Sequence, residues 1–310
     1  MSRIVITDCD HGTIETELAV FQNAGHEVVL ERCRTEEETI AAVARADGLL
    51  AQYAPITGAV MEAAPRLRVI GRYGVSLDTV DRPAAAARGI RVVNVPDYCI
   101  AEVADHAIAL MLAMTRGIVG YDRAIRGGTW DFRVTGGLQR GSTIRVGLIG
   151  LGRIGGATAR RSLALGYQVV ASDPSPTPVD GVAMVDQDEL LATSDVVSLH
   201  CWLDSTTRHL LDAAAMARMR PGAVLVNTSR GGLVDQSALV EALRSGRLGG
   251  AALDVLEREP IARDDPLLSL PNVILTPHAA FYSRESLEEM KRRVAEGIVA
   301  ALAEPAGDPT

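Results

Sequence analysis

Along the first third of the chain, short apolar runs alternate with segments of helical period. The apolar runs at 4–7, 27–30, 48–51, 68–71 and 90–94 read as strands. Between them, 13–24, 36–45, 58–63 and 82–88 predict helices. Strand–helix alternation of this kind predicts a parallel, doubly wound α/β domain. Ligands of such sheets gather beyond the carboxyl ends of the strands. Two loops stand there: 52–57, with Tyr53, and 72–76, with Arg72, Tyr73, Gly74 and Val75. Composition alone reads both as plain turns.

Val95-Pro96-Asp97 breaks the pattern. The spacing then predicts a long helix over 100–115 with Val103, Ala107, Leu110, Met111 and Met114 on one face. His106 beside that stripe reads as a packed, hydrogen-bonded histidine. Paired glycines at 127–128 and 136–137 mark irregular chain. Further strands are expected at 196–200, 223–227, 250–255 and 272–276, and helices at 236–245 and 283–302. His209, at the start of a further helical part, reads as structural. The tail from 304 is expected to fray.

The stretch 144–173 organises the rest. An apolar run leads into Gly150-Leu-Gly152-Arg153-Ile154-Gly155, about three turns of helix-compatible residues, a glycine stop and a second apolar run ending in Asp173. Gly150 permits a sharp turn out of the strand, Gly152 lets a pyrophosphate approach the backbone, and Gly155 lets the helix pack on the sheet. The helix start offers N–H groups and a positive dipole end to phosphate. Asp173, 23 residues after Gly150, can accept from both ribose hydroxyls and would repel a 2′-phosphate, which selects NAD(H) over NADP(H). A lone glycine triplet is weak, but a strand before it and a strand ending in an acid after it make this one specific.

Length and composition change the picture little. At 310 residues the chain can hold two domains, and 47% hydrophobic with 23% charged residues suits a soluble globular protein. A net charge of −8 without a basic block argues against nucleic acid or an anionic membrane as partner. The apolar region 100–119 contains Glu102, Asp105, His106 and Arg116 and so reads as a buried helix, not a membrane span. Cys9, Cys33, Cys99 and Cys201 are scattered without metal-ligand spacing, as expected of reduced thiols in a cytoplasmic protein. Asp8 comes too early for a signal peptide.

Candidate chemistry lies at the strand ends. Arg230, Glu259 and His278 each follow a predicted strand of the nucleotide half and can gather at one edge. Reducing a ketone by hydride transfer puts charge on oxygen, which calls for a proton donor and a fixed cation. Histidine backed by a carboxylate fits the first role, and arginine the second. Singly, each residue reads as a solvated charge or a capped strand end; together, after a dinucleotide fingerprint, the catalytic reading prevails. Cys201 stands at another strand end, where nicotinamide or ribose could lie.

With these residues in hand, the chain resembles the NAD-dependent D-2-hydroxyacid dehydrogenases from near its start to its last helix. Four ordered motifs carry the resemblance: Gly150-x-Gly-x-x-Gly155 with Asp173, 226–235 (VNTSRGGLVD), 253–260 (LDVLEREP) and 276–279 (TPHA). It implies that Arg230, Glu259 and His278 are catalytic, that Asp254 holds the nicotinamide carboxamide, and that Gly74 and Val75 offer N–H groups to the substrate carboxylate. The expected cofactor set is Gly150, Gly152, Arg153, Ile154, Gly155, Asp173, Cys201, Thr228 and Asp254. The expected substrate set is Tyr53, Tyr73, Gly74, Val75 and Phe281. Residues 1–98 and 283–310 would form a discontinuous, flavodoxin-like substrate domain, and 99–282 the NAD-binding Rossmann domain. Family members are usually dimers built through the nucleotide domain, so a homodimer is expected.

Within the family, 52–57, 95–106 and 278–283 look most like the C-terminal-binding-protein branch, which includes corepressors that retain the dehydrogenase site. That branch carries an aromatic residue where Phe281 stands. One departure is Trp202, where the family usually has proline; a Trp there would crowd the ribose side of the cleft. The leading reading is a 2-oxoacid reductase. The alternative is an NAD-gated dimeric, corepressor-like binding module, for which long terminal extensions are expected and not found. Oxidation of phosphite, which the resemblance ties to a lysine in the first-domain substrate loop, ranks low, since the one lysine is Lys291 in the last helix. Arg72 reads equally as a partner for a second anionic group of the substrate or as a solvated loop charge.

Overall fold

The computed structural model describes residues 1–304; residues 305–310, assigned above to the first domain and expected to fray, lie outside the described residues. Contacts divide the chain into two compact units, one of residues 1–98 with the segment from Ser283 onward, the other Cys99–Tyr282.

The first unit alternates β1 (Arg3–Ile6), α1 (Glu15–Asn23), β2 (Glu27–Leu30), α2 (Glu36–Val43), β3 (Gly48–Ala51), α3 (Gly58–Ala63), β4 (Val69–Arg72), α4 (Arg82–Ala87) and β5 (Arg91–Val93). The five strands are parallel, in the order β2-β1-β3-β4-β5. Ile4, Val5, Leu49, Leu50 and Ile70 are wholly buried, which is why these runs lack polar alternation. The helix Arg284–Ala303 belongs to this unit and buries Met290, Val294, Ile298 and Leu302. Its close seat on β4 depends on glycine: a Cβ at Gly71 would lie 2.5 Å from Ile298 Cδ1. Lys291 on the same helix is buried, and its ammonium is satisfied by the carbonyls of His11 at 2.9 Å and Thr13 at 2.5 Å.

The second unit opens with α5 (Ile100–Thr115) and α6 (Ile118–Arg126). It continues through β6 (Arg145–Ile149), α7 (Arg153–Ala164), β7 (Gln168–Ser172), β8 (Ala183–Met184), α8 (Gln187–Thr193), β9 (Val196–Leu199) and α9 (Ala213–Arg218). It ends with β10 (Val224–Asn227), α10 (Gln236–Arg244), β11 (Gly250–Leu253) and β12 (Val273–Leu275), so that Arg284–Ala303 is α11. Its seven strands are parallel in the order β12-β11-β10-β9-β6-β7-β8. Two parallel α/β sheets were expected and are found. The helices α6 and α8 and the short strand β8 were not anticipated. Among the described residues, no single helix is long and apolar enough to cross a membrane; α5 and α6 reach that length only together, across a 58° bend.

Candidate active site

The turn from β6 into α7 gives its three glycines three different reasons to be glycine. Gly150 has φ +97°, and a Cβ there would lie 2.6 Å from the His200 carbonyl carbon. A Cβ on Gly155 would run into the Gly150 carbonyl. A Cβ on Gly152 would meet nothing within 4 Å, so this side of the backbone is open to a ligand. Gly152 is also the N-cap of α7 and supplies no side-chain cap, which leaves the first N–H groups, those of Arg153 and Ile154, for an anion. Asp173 is fixed beside this turn. Its Oδ2 accepts from the Leu151 N–H at 2.6 Å and its Oδ1 from the Ser175 N–H at 2.7 Å. Each oxygen keeps a lone pair for a ribose hydroxyl. These residues fit a dinucleotide.

The neighbouring strand ends are tied together. Ser229 Oγ donates to the Cys201 carbonyl at 2.6 Å, joining the loops after β9 and β10. Burial pushes the Cys201 thiol up to about 11, so it contributes shape and not a thiolate. Burial likewise pushes the His200 imidazole down to about 4, and its neutral ring pairs with Ser198 Oγ at 2.9 Å. Thr228 is buried, and its Oγ1 has no hydrogen-bond partner among the described residues. An orphaned hydroxyl at a strand end is a natural contact for a ligand amide or hydroxyl. Trp202, in the loop after β9, is 67% exposed.

Arg230, Glu259 and His278 are held on three successive loops of the same edge. Asn227 shapes the first: its Nδ2 donates to the Arg230 carbonyl at 2.9 Å while its Oδ1 accepts from the Ser229 N–H at 3.0 Å. Nothing in the sequence pattern singled out Asn227; a polar residue ending a buried strand was the available signal. The Arg230 guanidinium donates to the Ser229 carbonyl at 2.6 Å. His278 Nδ1 meets Glu259 Oε2 at 2.6 Å, with side chains 34% and 36% exposed. Burial raises the Glu259 carboxyl, but the His278 hydrogen bond and charge, the Leu256 N–H and the Arg230 charge together hold it below its ordinary value. Histidine and arginine thus both act on one carboxylate. His278 has a left-handed backbone, φ 55°, which a residue with a side chain adopts at a cost.

Asp254 supplies the reason that this backbone holds. It is 2% exposed, and its carboxylate accepts from Thr276 Oγ1 at 2.6 Å, the Ala279 N–H at 2.8 Å and the Ala280 N–H at 2.9 Å. Its main use is to grip the turn that presents His278, a positioning role the sequence reading did not include. Of four acceptor sites these bonds take three, which leaves one for a carboxamide. His106 pairs with Thr276 Oγ1 at 3.0 Å, the hydrogen-bonded histidine expected. Phe281 lies edge-on to the His278 ring, centroids 6.4 Å apart.

In the other unit, Tyr53 is half-exposed and donates its N–H to Asp8. Gly74 has φ +106°, and neither its N–H nor that of Val75 has a hydrogen-bond partner among the described residues. Tyr73 is a correction: it is 2% exposed and its hydroxyl donates to the buried Glu17 at 2.6 Å, so its side chain packs into the core of its own unit. Among the described residues no cluster of three or more His, Cys, Asp or Glu could hold a metal ion.

Comparison with known proteins agrees with this geometry. The family model described as "D-isomer specific 2-hydroxyacid dehydrogenase, NAD binding domain" matches residues 108–280. The chain is 40% identical to the D-3-phosphoglycerate dehydrogenase of Archaeoglobus fulgidus over 291 residues, 92% of this chain and 55% of that protein. It is 43% identical to the glyoxylate reductase of Korarchaeum cryptofilum over 254 residues, 79% and 76% of the two chains. The chain thus spans about half the length of the phosphoglycerate dehydrogenases it matches. Among solved structures, the D-lactate dehydrogenase of Aquifex aeolicus complexed with NAD and lactic acid superposes with a TM-score of 0.87 at 26% identity, covering 96% of this chain and 95% of that one. The chain belongs to the D-isomer specific 2-hydroxyacid dehydrogenase family.

Proposed function

We propose that this protein interconverts a 2-oxoacid and a D-2-hydroxyacid with NAD(H). One observation carries the reading: His278 is bonded through Nδ1 to Glu259, and Arg230 acts on the same carboxylate, at the edge of the sheet that bears the glycine turn. With Nδ1 engaged, Nε2 is the ring atom left to give a proton to the carbonyl oxygen, or to take one from the hydroxyl in reverse. Glu259 stabilises the imidazolium. Arg230 holds the substrate carboxylate and polarises the carbonyl. Bound NADH supplies the hydride. Asp173 favours NAD(H) over its phosphorylated form, and the remaining Asp254 acceptor site suits the carboxamide. The N–H groups of Gly74 and Val75, with Tyr53, are the proposed substrate contacts of the first unit, which acts as the substrate domain. Named relatives, a glyoxylate reductase and a D-lactate dehydrogenase, support the substrate class.

The test is NADH consumption against 2-oxoacids varied in side-chain size and charge. His278→Ala is expected to lower kcat by about a thousandfold, within the range for a lost general acid. Absence of turnover with every oxoacid, or a His278→Ala variant as fast as the parent, would end this reading. We also propose that, within the family, the chain lies nearest the corepressor-containing branch, on the strength of 52–57, 95–106 and 278–283. We also propose a homodimer through the nucleotide-binding unit. Its support is an apolar surface on α6 and the loop after it, where Ile118, Ile125, Trp130, Phe132 and Val134 are exposed. A monomeric mass in sedimentation would refute it.

A further inference from the structure

Among the described residues, two that are not glycine hold a left-handed backbone: His278 at φ 55° and His209 at φ 51°. Strain of this kind persists only where the surroundings impose it, and it collects at functional sites. The two histidines share a further feature. Each bonds through its ring to a carboxylate of the loop after β11, His278 to Glu259 and His209, through Nε2, to Glu257 Oε1 at 2.5 Å. The two carboxylates are two residues apart.

His209 makes a second tie in another direction. Its backbone N–H donates to the Gly232 carbonyl at 2.8 Å, two residues beyond Arg230. The contact continues: the Leu211 N–H donates to Leu233 and the Asp235 N–H returns to Leu211, both at 3.0 Å, a short parallel bridge along the segment after Arg230. His209 therefore holds the Arg230 loop by its backbone and the Glu259 loop by its ring. The left-handed conformation is what allows one residue to serve both.

The two loops leave little play. A Cβ on Gly231 would run into the backbone of Leu256 and Glu257, so the residue after Arg230 already touches the Glu257 loop. Within that loop Glu259 Oε1 accepts from the Leu256 N–H at 2.9 Å, which closes residues 256–259 into one unit. A shift at Glu257 is thereby passed to Glu259, and from Glu259 to the imidazole of His278. Arg208, the residue before His209, adds an ion pair to Glu257 at 3.3 Å from a more exposed position.

We propose that His209 is a positioning residue for hydride transfer, fixing the spacing between the loop that carries Arg230 and the loop that carries Glu259. The proposal rests on the dehydrogenase function above. Its role is to aim the acid and the cation, and it makes no contact with the dinucleotide turn at Gly150–Gly155.

The experiment compares wild type, His209→Gly and Glu257→Gln. His209→Gly keeps the left-handed backbone and removes only the ring; Glu257→Gln keeps the loop and weakens the bond from its other end. NADH-binding sites are counted, and NADH affinity is measured, by energy transfer from Trp130 and Trp202. Turnover of glyoxylate and pyruvate is then expressed per NADH-binding site. Both variants are expected to lose about tenfold in kcat per site, with NADH affinity unchanged, because a misplacement well under 1 Å suffices. The double variant should be little worse than either single one, since both break the same tie. A merely structural role would lower the number of NADH-binding sites and leave kcat per site alone, and that result overturns the proposal. So does kcat per site within twofold of wild type in both variants. Wild-type protein that turns over no 2-oxoacid removes the dehydrogenase reading and this proposal with it, whereas active variants remove this proposal alone.

Discussion

Each parallel sheet reverses its strand order once, between β1 and β3 in the five-stranded sheet and between β6 and β9 in the seven-stranded one. Topology places a crevice at both points, yet the chain fills them in opposite ways. After β6 stand glycines, and the flank of Gly152 is open. After β1 stands Asp8, 1% exposed, whose carboxylate accepts from the N–H groups of Gln52 at 3.0 Å, Tyr53 at 2.7 Å and Ala54 at 3.3 Å. The chain's own backbone amides occupy there the kind of acceptor that a phosphate would be at the other crevice. A doubly wound sheet therefore offers a ligand position, and the first turn decides whether a ligand or a side chain takes it.

The largest expected effect comes from emptying the filled crevice. Asp8→Ala strands two buried N–H groups, of Gln52 and Ala54, and the part-buried one of Tyr53, and should cost about 4 kcal/mol, at 1–3 kcal/mol for each unsatisfied buried group. Thermal unfolding checks it, with NADH affinity unchanged because Asp8 lies in the other unit. Equal stability of Asp8→Ala and wild type would break the comparison. The reciprocal change fills the open crevice. Gly152→Asp puts a carboxylate where a pyrophosphate approaches, and like charges so placed cost several kcal/mol. NADH affinity should fall at least about 100-fold while the melting temperature holds, since a Cβ there meets no atom within 4 Å. Binding within threefold of wild type would show that Gly152 is not at the phosphate.

The smallest effect concerns pH. The Glu259 carboxyl is held below its ordinary 4.5 in the folded chain, burial being outweighed by His278, the Leu256 N–H and Arg230. A depressed acid contributes stability that is present in full above its unfolded value and lost as pH falls through its folded one. Wild type should exceed Glu259→Gln in stability at pH 7, by less than about 1 kcal/mol because the pair is about a third exposed. The gap should close only below pH 4.5. A gap that closed between pH 7 and 5 would assign it to some other group.

Much of this architecture was legible. Short apolar runs such as 48–51 and 196–199 read as strands, and the structure makes both of them strands buried along their whole length. The helices that were missed lack the cue that reveals the others. α6 has no buried residue, so its apolar positions Ile118 and Ile125 mark no core face. α8 is short, though Asp186 caps it by accepting from the Glu189 N–H at 2.8 Å, a signal present in the sequence and passed over. Tyr73 differs from its expectation because residue type says nothing about direction: a Tyr that lines a pocket and one that enters a core look alike until the fold sets Glu17 against its hydroxyl.

The glycine triplet and its distant acid announced a dinucleotide turn by themselves, because steric exclusion at Gly150 and Gly155 allows no other residue type and so leaves a local mark. The order Arg230, Glu259, His278 also pointed to chemistry, since three ionisable residues after three buried runs must share an edge if the sheet is parallel. Only the tertiary structure showed Asp8, Asp254, Asn227 and His209 holding those groups in place. Their partners lie 44–46, 22–26, 2–3 and 48 residues away or adjacent across a turn. A hydrogen bond to a backbone amide leaves no trace in the identity of the residue that donates it, and so the supporting contacts stay invisible until the chain is folded.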